Sequence, residues 1–513
     1  VAIAAVSIGG VGGAQESAPQ SFNQRLVAVV ARSAPPDDKR AALARLGREA
    51  RGYEERAAVE AFRTMVDGWS KSETKALADA EVFAAANPRS GGALIALAYA
   101  RGGADQPEQG ADALIAGLAI EPHLVDSVST PQVGYLLGKL RLRRDNARIR
   151  ALARSLFEAG WTRGTIGDRS ILASHLIIDD LLQGKGAEAS KWLPNVHDPL
   201  RLYGMLADNR FAPLWPEIER TSGKRLETRW REYLTHTRDA WSNGGEADQA
   251  TAYATALLRA GLHQSLVDQF QTRFTRGYNC PNDPAARAVA EALVNGLIEL
   301  GKLAKAESVI QRRAGARGAV DANYLSNHYI LTDRYDDAAR TIEHVISAIS
   351  KSKKPIDEVQ MTMLRARLAC TNHKRGVAAG TVATDRMALG ARLWVTRCLD
   401  RPAESKSLLL AGLEREEDRL EALTWLQPDP DRSQISAFER SQRAAHDLLR
   451  RDPDVIAAVA RHGMIHAWLV TENVPTDLAP ARPKRPPVCG ELRIEPLESM
   501  KVEELVEKRR PMP

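Results

Sequence analysis

Aromatic residues are scarce, only 5% of the 513-residue chain, with 9 Trp, 10 Tyr and 8 Phe. β-Sandwiches and barrels lean on aromatic and β-branched side chains to fill their pleated faces, so this scarcity argues against an all-β fold. Cysteine is scarcer still. Cys280, Cys370, Cys398 and Cys489 include no CxxC pair, which excludes zinc-ribbon and thioredoxin-type motifs. No run reaches the ~20 apolar residues that span a bilayer, so the body of the chain is expected not to cross a membrane. A Walker phosphate loop, GxSxG and HExxH are all missing, and with them the usual signatures of P-loop, hydrolase-elbow and zinc-protease chemistry. Neither charge dominates: 71 basic residues face 65 acidic ones, for a net charge of +6. Interspersed charge of this kind describes solvated helix faces, and no basic stripe with interleaved aromatics marks a nucleic-acid surface. The densest basic pieces, Lys351–Lys354 and Arg482–Arg485, lie beside prolines, as loops and tails do.

What is present is a helical chain. Hydrophobic residues make up 44% and charged residues 27%, enough for a folded core. Ala57–Asp67, Thr74–Ala86, Ala93–Ala100, Gln109–Ile120 and Asn146–Ala159 carry apolar residues at three-and-four spacing, the helical period. Breaks such as Asn87-Pro88, Glu121-Pro122, Gly244-Gly245 and Asp452-Pro453 supply stop signals between them. No run of alternating strands appears, and the expected class is all-α. Pro88 and Pro122 close their helices alike, 34 residues apart, a period known from helical-hairpin repeats.

The stretch Ala322–Val345 reads Ala322-x2-Leu325-Ser326-x2-Tyr329-x5-Tyr335-x2-Ala338-x3-Ile342-x2-Val345. Leu325 and Tyr329 stand one turn apart on a first helix, facing Ala338 and Ile342 on a second, and small Ala338 lets the two helices approach. This frame closely resembles the tetratricopeptide repeat, with Ser326 for the usual Gly and Ile342 for the usual Phe. The preceding unit repeats it 32 residues earlier through Ala290, Leu293, Val294, Leu297, Leu303, Ala306 and Ile310. Looser units are expected at Thr251–Phe274, Val359–Met387 and Ala391–Leu413, whereas Leu193–Thr221, with Pro213, Trp215 and Pro216, departs from the frame. The resemblance implies a right-handed α-solenoid of TPR-like hairpins over residues 20–470, with a concave groove that takes a peptide or partner domain. It places Asn295 and Asn327, at the same frame position, on that concave side, together with Glu291 and Asn323 one turn earlier. An asparagine amide both donates and accepts, so it can grip an extended backbone.

Around the array, residues 1–19 open with an apolar, small-residue stretch followed by polar Gln15–Gln20, similar to a secretory leader with Gly12 and Ala14 at the cleavage positions. Residues 471–513, with Pro475, Pro480, Pro483, Pro486 and Pro487, make a Pro-rich tail expected to wrap or cap the last repeat. Export to the periplasm or secretion would permit two disulfides, in three possible pairings; in the cytosol the cysteines are buried thiols. Cys370 and Cys398, 28 residues apart near the ends of first helices in consecutive units, are the candidate pair. Other features have plain readings. Gly184-Lys-Gly186-Ala-Glu-Ala189 fits GxGxxA but follows a helical pattern, so it is an interhelical turn. His462 and His466 stand at helical i,i+4 spacing without a nearby acidic or cysteine ligand, and Asp179-Asp180 and Glu416-Glu417-Asp418 read as solvated or helix-start charge. Glu307-Ser308, Glu404-Ser405 and Glu498-Ser499 lack the surrounding lysozyme-like domain a peptidoglycan-cleaving enzyme needs. The sequence therefore points to a non-catalytic interaction scaffold without cofactor or metal, its partner a protein or peptide. A peptidoglycan-acting enzyme or regulator, and a cytosolic adaptor, are the alternatives.

Overall fold

A computed structural model describes residues 36–481, apart from 70–71, 163–165, 245–246, 277–283, 315–317, 352–357, 381, 383, 386 and 429–435, together with Phe22, Arg25, Leu26 and Val29. The leader at 1–19, the tail beyond Ala481, Cys280 and Cys489 lie outside the described residues. Every extended element of those described is a helix; the one β-type pairing is an isolated antiparallel bridge between Asp208 and Gly463. No described helix is long and apolar enough to cross a membrane. The chain divides into two units, the first reaching Gln132 and adding Glu158–Trp161, the second made of Val133–Phe157 and the chain from Thr162 onward.

The first unit contains α1 (Pro36–Glu49), α2 (Tyr53–Trp69), α3 (Glu73–Ala86), α4 (Gly91–Gly103) and α5 (Pro107–Ile120). Serine hydroxyls start two of these helices: Ser72 accepts from Lys75 N at 3.0 Å and Ser90 from Ala93 N at 3.2 Å, each satisfying an otherwise orphaned donor. Small residues set how closely α4 packs on α5 and on α2. A Cβ on Gly91 would stand 2.6 Å from the Gly117 carbonyl oxygen, and one on Gly92 would stand 2.7 Å from Ala58 Cβ. Tyr99 is buried against Phe62, and its hydroxyl donates to Ser127 O and accepts from Ser129 N. The Trp161 indole closes the unit by donating to Val128 O at 3.2 Å.

The second unit takes up α6 (Thr130–Leu142) from Val133 onward and continues with α7 (Asn146–Glu158), α8 (Ile166–Leu182), α9 (Gly186–Trp192), α10 (Pro199–Ala207), α11 (Trp215–Ser222), α12 (Glu227–Gly244), α13 (Ala247–Arg259) and α14 (His263–Arg276). Then come α15 (Pro284–Glu299), α16 (Leu303–Ala314), α17 (Gly318–Leu331), α18 (Tyr335–Lys351), α19 (Glu358–Lys374), α20 (Leu389–Cys398), α21 (Pro402–Glu414), α22 (Glu416–Trp425), α23 (Ala437–Arg451) and α24 (Pro453–His462). One turn recurs. After α6, α8, α13, α15, α17 and α20 a single residue takes positive φ: Arg144, Gly184, Gly261, Gly301, Asp333 and Asp400. The next N–H reaches back five residues, as in Lys185 N to Asp180 O at 2.7 Å and Arg334 N to Tyr329 O at 2.8 Å. This is the Schellman stop, and Asp105 makes it in the first unit too. It reverses the chain so that a second helix packs on the first, which is why hairpins recur where sequence similarity has faded. Gly184 shows that the GxGxxA segment is such a turn.

Two departures from the expected frame are clear. Val359–Met387 holds one helix, α19, and the described residues of 375–388 form no second arm. There Met387 is buried, with Ala379 and Val382 packed beside it, so apolar contacts are made without helical periodicity. His462 ends α24 and Gly463 follows in extended backbone, so His462 and His466 share no helix face. His462 bonds Glu414, while His466 lies buried against Tyr203 O.

The aromatics concentrate in the largest core of this unit, where Trp230, Trp241, Tyr253, Phe270 and Phe211 are almost wholly buried. Trp241 stacks on Phe270 with ring centroids 4.6 Å apart. Later helices return onto earlier ones. α10 packs on α22, with a Cβ on Gly204 only 2.5 Å from Thr424 Oγ1, and Arg144 donates to Met387 O at 2.9 Å. The Asp333 carboxylate accepts from Ala437 N and Phe438 N, capping α23. Residues 463–481 then run back as a strap over α10, α12 and α14. Met464 N donates to Ala207 O, Tyr203 Oη to Trp468 O, Trp230 Nε1 to Val470 O, and Ala481 N to Gln269 Oε1. Of the tail expected to wrap or cap the last repeat, only residues 471–481 are described, and with residues 463–470 they lie over middle hairpins, where Tyr203 and Trp230 donate to the strap's carbonyls.

Candidate functional site

α13 lies along α15 as first helices of stacked hairpins do, but among the described residues α17 packs chiefly on α16 and α18 and touches α23. Asn295 is half-buried on α15 and Asn327 half-buried on α17, and neither amide has a hydrogen bond among the described residues. Glu291, one turn before Asn295, is half-buried as well. The side chain of Asn323 lies outside the described residues. Close side-by-side packing of α15 with α17, which the groove reading assumed, is not found among those residues.

Cys370 and Cys398 are joined by a disulfide with their Cα atoms 5.5 Å apart. Both are fully buried among Tyr329, Ile342, Leu364 and Phe438. They sit on α19 and α20, which are consecutive helices rather than first arms of two complete hairpins, since no helix lies between them among the described residues.

A denser polar assembly, invisible in the sequence, surrounds the start of α10. Asp198 caps that helix: Oδ1 accepts from Leu200 N at 3.0 Å and Oδ2 from Arg259 Nη1 at 2.8 Å. Burial, reinforced by the Asp198 carboxylate, pushes the Tyr233 phenol up to about 12. Burial works against the Arg259 charge, yet Asp198 and Tyr233 leave that guanidinium above its ordinary value. Ser170 Oγ donates to Ile166 O and accepts from His197 N and Asp198 N. With its proton engaged by a backbone carbonyl, the hydroxyl is not arranged to pass it to an imidazole. Asp179 is taken by Arg150 and Arg154, and Asp180 by Arg154 and Trp192 Nε1. Across the unit, Asp418 in the first turn of α22 meets Arg144 and Arg415. Among the described residues no three His, Cys, Asp or Glu side chains converge to hold a metal ion.

These residues come from seven helices and the turns between them, spread between Arg144 and Asp418, so no local motif could have shown which of them meet. The local signals were the acidic clusters Asp179-Asp180 and Glu416-Glu417-Asp418 and the helix-start pair Asp198-Pro199. No family model matches the chain, and no curated protein matches it.

Proposed function

We propose that the chain is a non-catalytic scaffold for protein–protein contacts, a TPR-like solenoid of helical hairpins that receives an extended segment of a partner protein along its first helices. The observation that carries this reading is the pair Asn295 and Asn327: two half-buried amides at matched places in the repeat frame, with no hydrogen bond among the described residues. A half-buried amide left without a protein partner is held ready for another backbone or for water. The disulfide between Cys370 and Cys398 supports residence in an oxidising compartment such as the periplasm.

Photo-crosslinking in the exported protein tests the reading. A photoreactive residue is placed at Asn295 or Asn327, with exposed Leu448 on α23 as the control position. One defined polypeptide adduct at both asparagine positions is expected, and Asn295→Ala should weaken the adduct at 327. Adducts at 448 with none at 295 or 327 would refute the groove.

A further inference from the structure

Residues 463–481 are held to the second unit in two different ways. Up to Val470 the strap is anchored through its main chain. Met464 N donates to Ala207 O, and the Trp468 and Val470 carbonyls accept from Tyr203 Oη at 2.6 Å and from Trp230 Nε1 at 2.7 Å. His466 and Val470 are buried along this stretch. From Thr471 a turn leads into chain that is neither helix nor strand. Among the described residues its only main-chain bond to the body is Ala481 N to Gln269 Oε1, at 3.0 Å.

Side chains hold the remainder. Glu472 pairs at 2.6 Å with Arg225, just before α12, and Asp477 pairs at 3.1 Å with Arg231 on α12. All four of these charged side chains are exposed. Val474 and Leu478 rest half-buried on the core that contains Trp230 and Phe270. Pro475 and Ala481 are buried. Gln269, on α14, is oriented for its contact because its Nε2 donates to Tyr253 Oη at 3.2 Å. Exposed ion pairs stabilise only weakly in water. With a single main-chain bond besides, residues 471–481 are among the first to open, while the anchor at Trp468 and Val470 stays.

We propose that the surface of α12 and α14 beneath residues 471–481 is a docking site for an extended acidic segment of a partner protein, and that the strap is its resident competitor. The strap displays the chemistry that the surface takes. One carboxylate meets Arg225, a second five residues on meets Arg231, apolar side chains settle between and after them, and a main-chain N–H reaches Gln269. A partner segment with this pattern makes the same contacts as the strap lifts away beyond Val470. Being tethered, the strap competes at high effective concentration. The apparent affinity for a partner therefore falls with the fraction of molecules in which the surface is free. The site involves neither Asn295 nor Asn327 and stands apart from the groove they mark.

The test uses the full chain and a fluorescently labelled synthetic peptide of residues 471–481, with binding read by anisotropy. The double variant Glu472→Gln, Asp477→Asn loosens the strap and leaves the surface beneath it intact. It should bind the peptide about tenfold more tightly than wild type, since two exposed pairs no longer hold the competitor. The variant Arg225→Glu, Arg231→Glu should lose the native peptide and bind one carrying Glu472→Lys and Asp477→Lys, an exchange of specificity that a merely structural strap would not produce. Three results overturn the proposal: no saturable binding to the loosened variant, equal affinity in that variant and wild type, or undiminished binding of the native peptide after the two arginines are replaced. Wild-type dimers that free peptide dissociates, read by sedimentation, would also overturn it, assigning the surface to the strap of a second copy.

Discussion

Replacing Gly463 by alanine tests the return of the strap onto α10. A Cβ at that position would lie 1.9 Å from Ala207 O and 3.0 Å from Leu423 Cδ1. Gly463 has φ of 173°, so its extended backbone suits any residue and the whole effect is one of space. Relieving the contact to about 3.0 Å requires the strap and α10 to separate by roughly 1.1 Å. Met464 N donates to the same carbonyl at 2.8 Å, and that separation stretches the bond to about 3.9 Å, beyond hydrogen-bonding range. Overpacking of this kind costs about 1–3 kcal/mol, and a weakened, partly buried backbone pair adds about 1 kcal/mol. Gly463→Ala should therefore lose about 2–4 kcal/mol, a downward shift of several degrees in melting. Hydrogen exchange should quicken across 464–481 before it quickens in α13 or α15, because the Tyr203, Trp230 and Gln269 contacts depend on the same path of the strap. A variant that melts with wild type and exchanges normally over 464–481 would show that the strap does not lie where its hydrogen bonds place it.

Two further expectations follow from the second unit. Cys398→Ser opens a loop of 28 residues' separation, for which chain-entropy reasoning gives a loss of about 3.5 kcal/mol; melting with and without reductant checks it, and identical curves for oxidised and reduced wild type would contradict a stabilising bridge. Burial, with Arg229, Arg169 and His236 adding to it, pushes His197 from 6.5 down to about 4. The unfolded chain then takes up protons near pH 6.5 that the folded chain refuses, so this contribution to stability is complete above about 6.5 and is lost as pH falls toward about 4. His197→Gln should flatten the fall in stability between pH 6.5 and 5, measured by denaturant melts, and an unchanged slope would refute the assignment.

Much of the helical layout was legible in the chain itself. Ala57–Asp67, Thr74–Ala86 and Gln109–Ile120 all fall within α2, α3 and α5, because apolar spacing, Ser72 as the cap of α3 and Pro107 at the start of α5 act over a single helix turn. Hairpins at 251–274, 290–310 and 322–345 were readable for the same reason: Leu, Tyr and small Ala at fixed offsets decide how two adjacent helices meet. Asn295 and Asn327 could be named from the frame, but their partial burial and lack of hydrogen bonds are properties of the packed helices.

The sequence by itself determined the all-helical class, most helix positions and the recurring hairpin, since capping, periodicity and turn chemistry are local. Only the tertiary structure decided that 375–388 builds no second arm, that His462 and His466 part company at Gly463, and that residues 463–481 cross back to Tyr203, Trp230 and Gln269. It alone brought Asp198 to Arg259, Glu421 to Gly390 N, and Asp179 to Arg150 and Arg154. The physical reason is range. A helix is specified by neighbours three and four residues away, whereas the charge balance at one point depends on which distant carboxylates have already been taken by other cations.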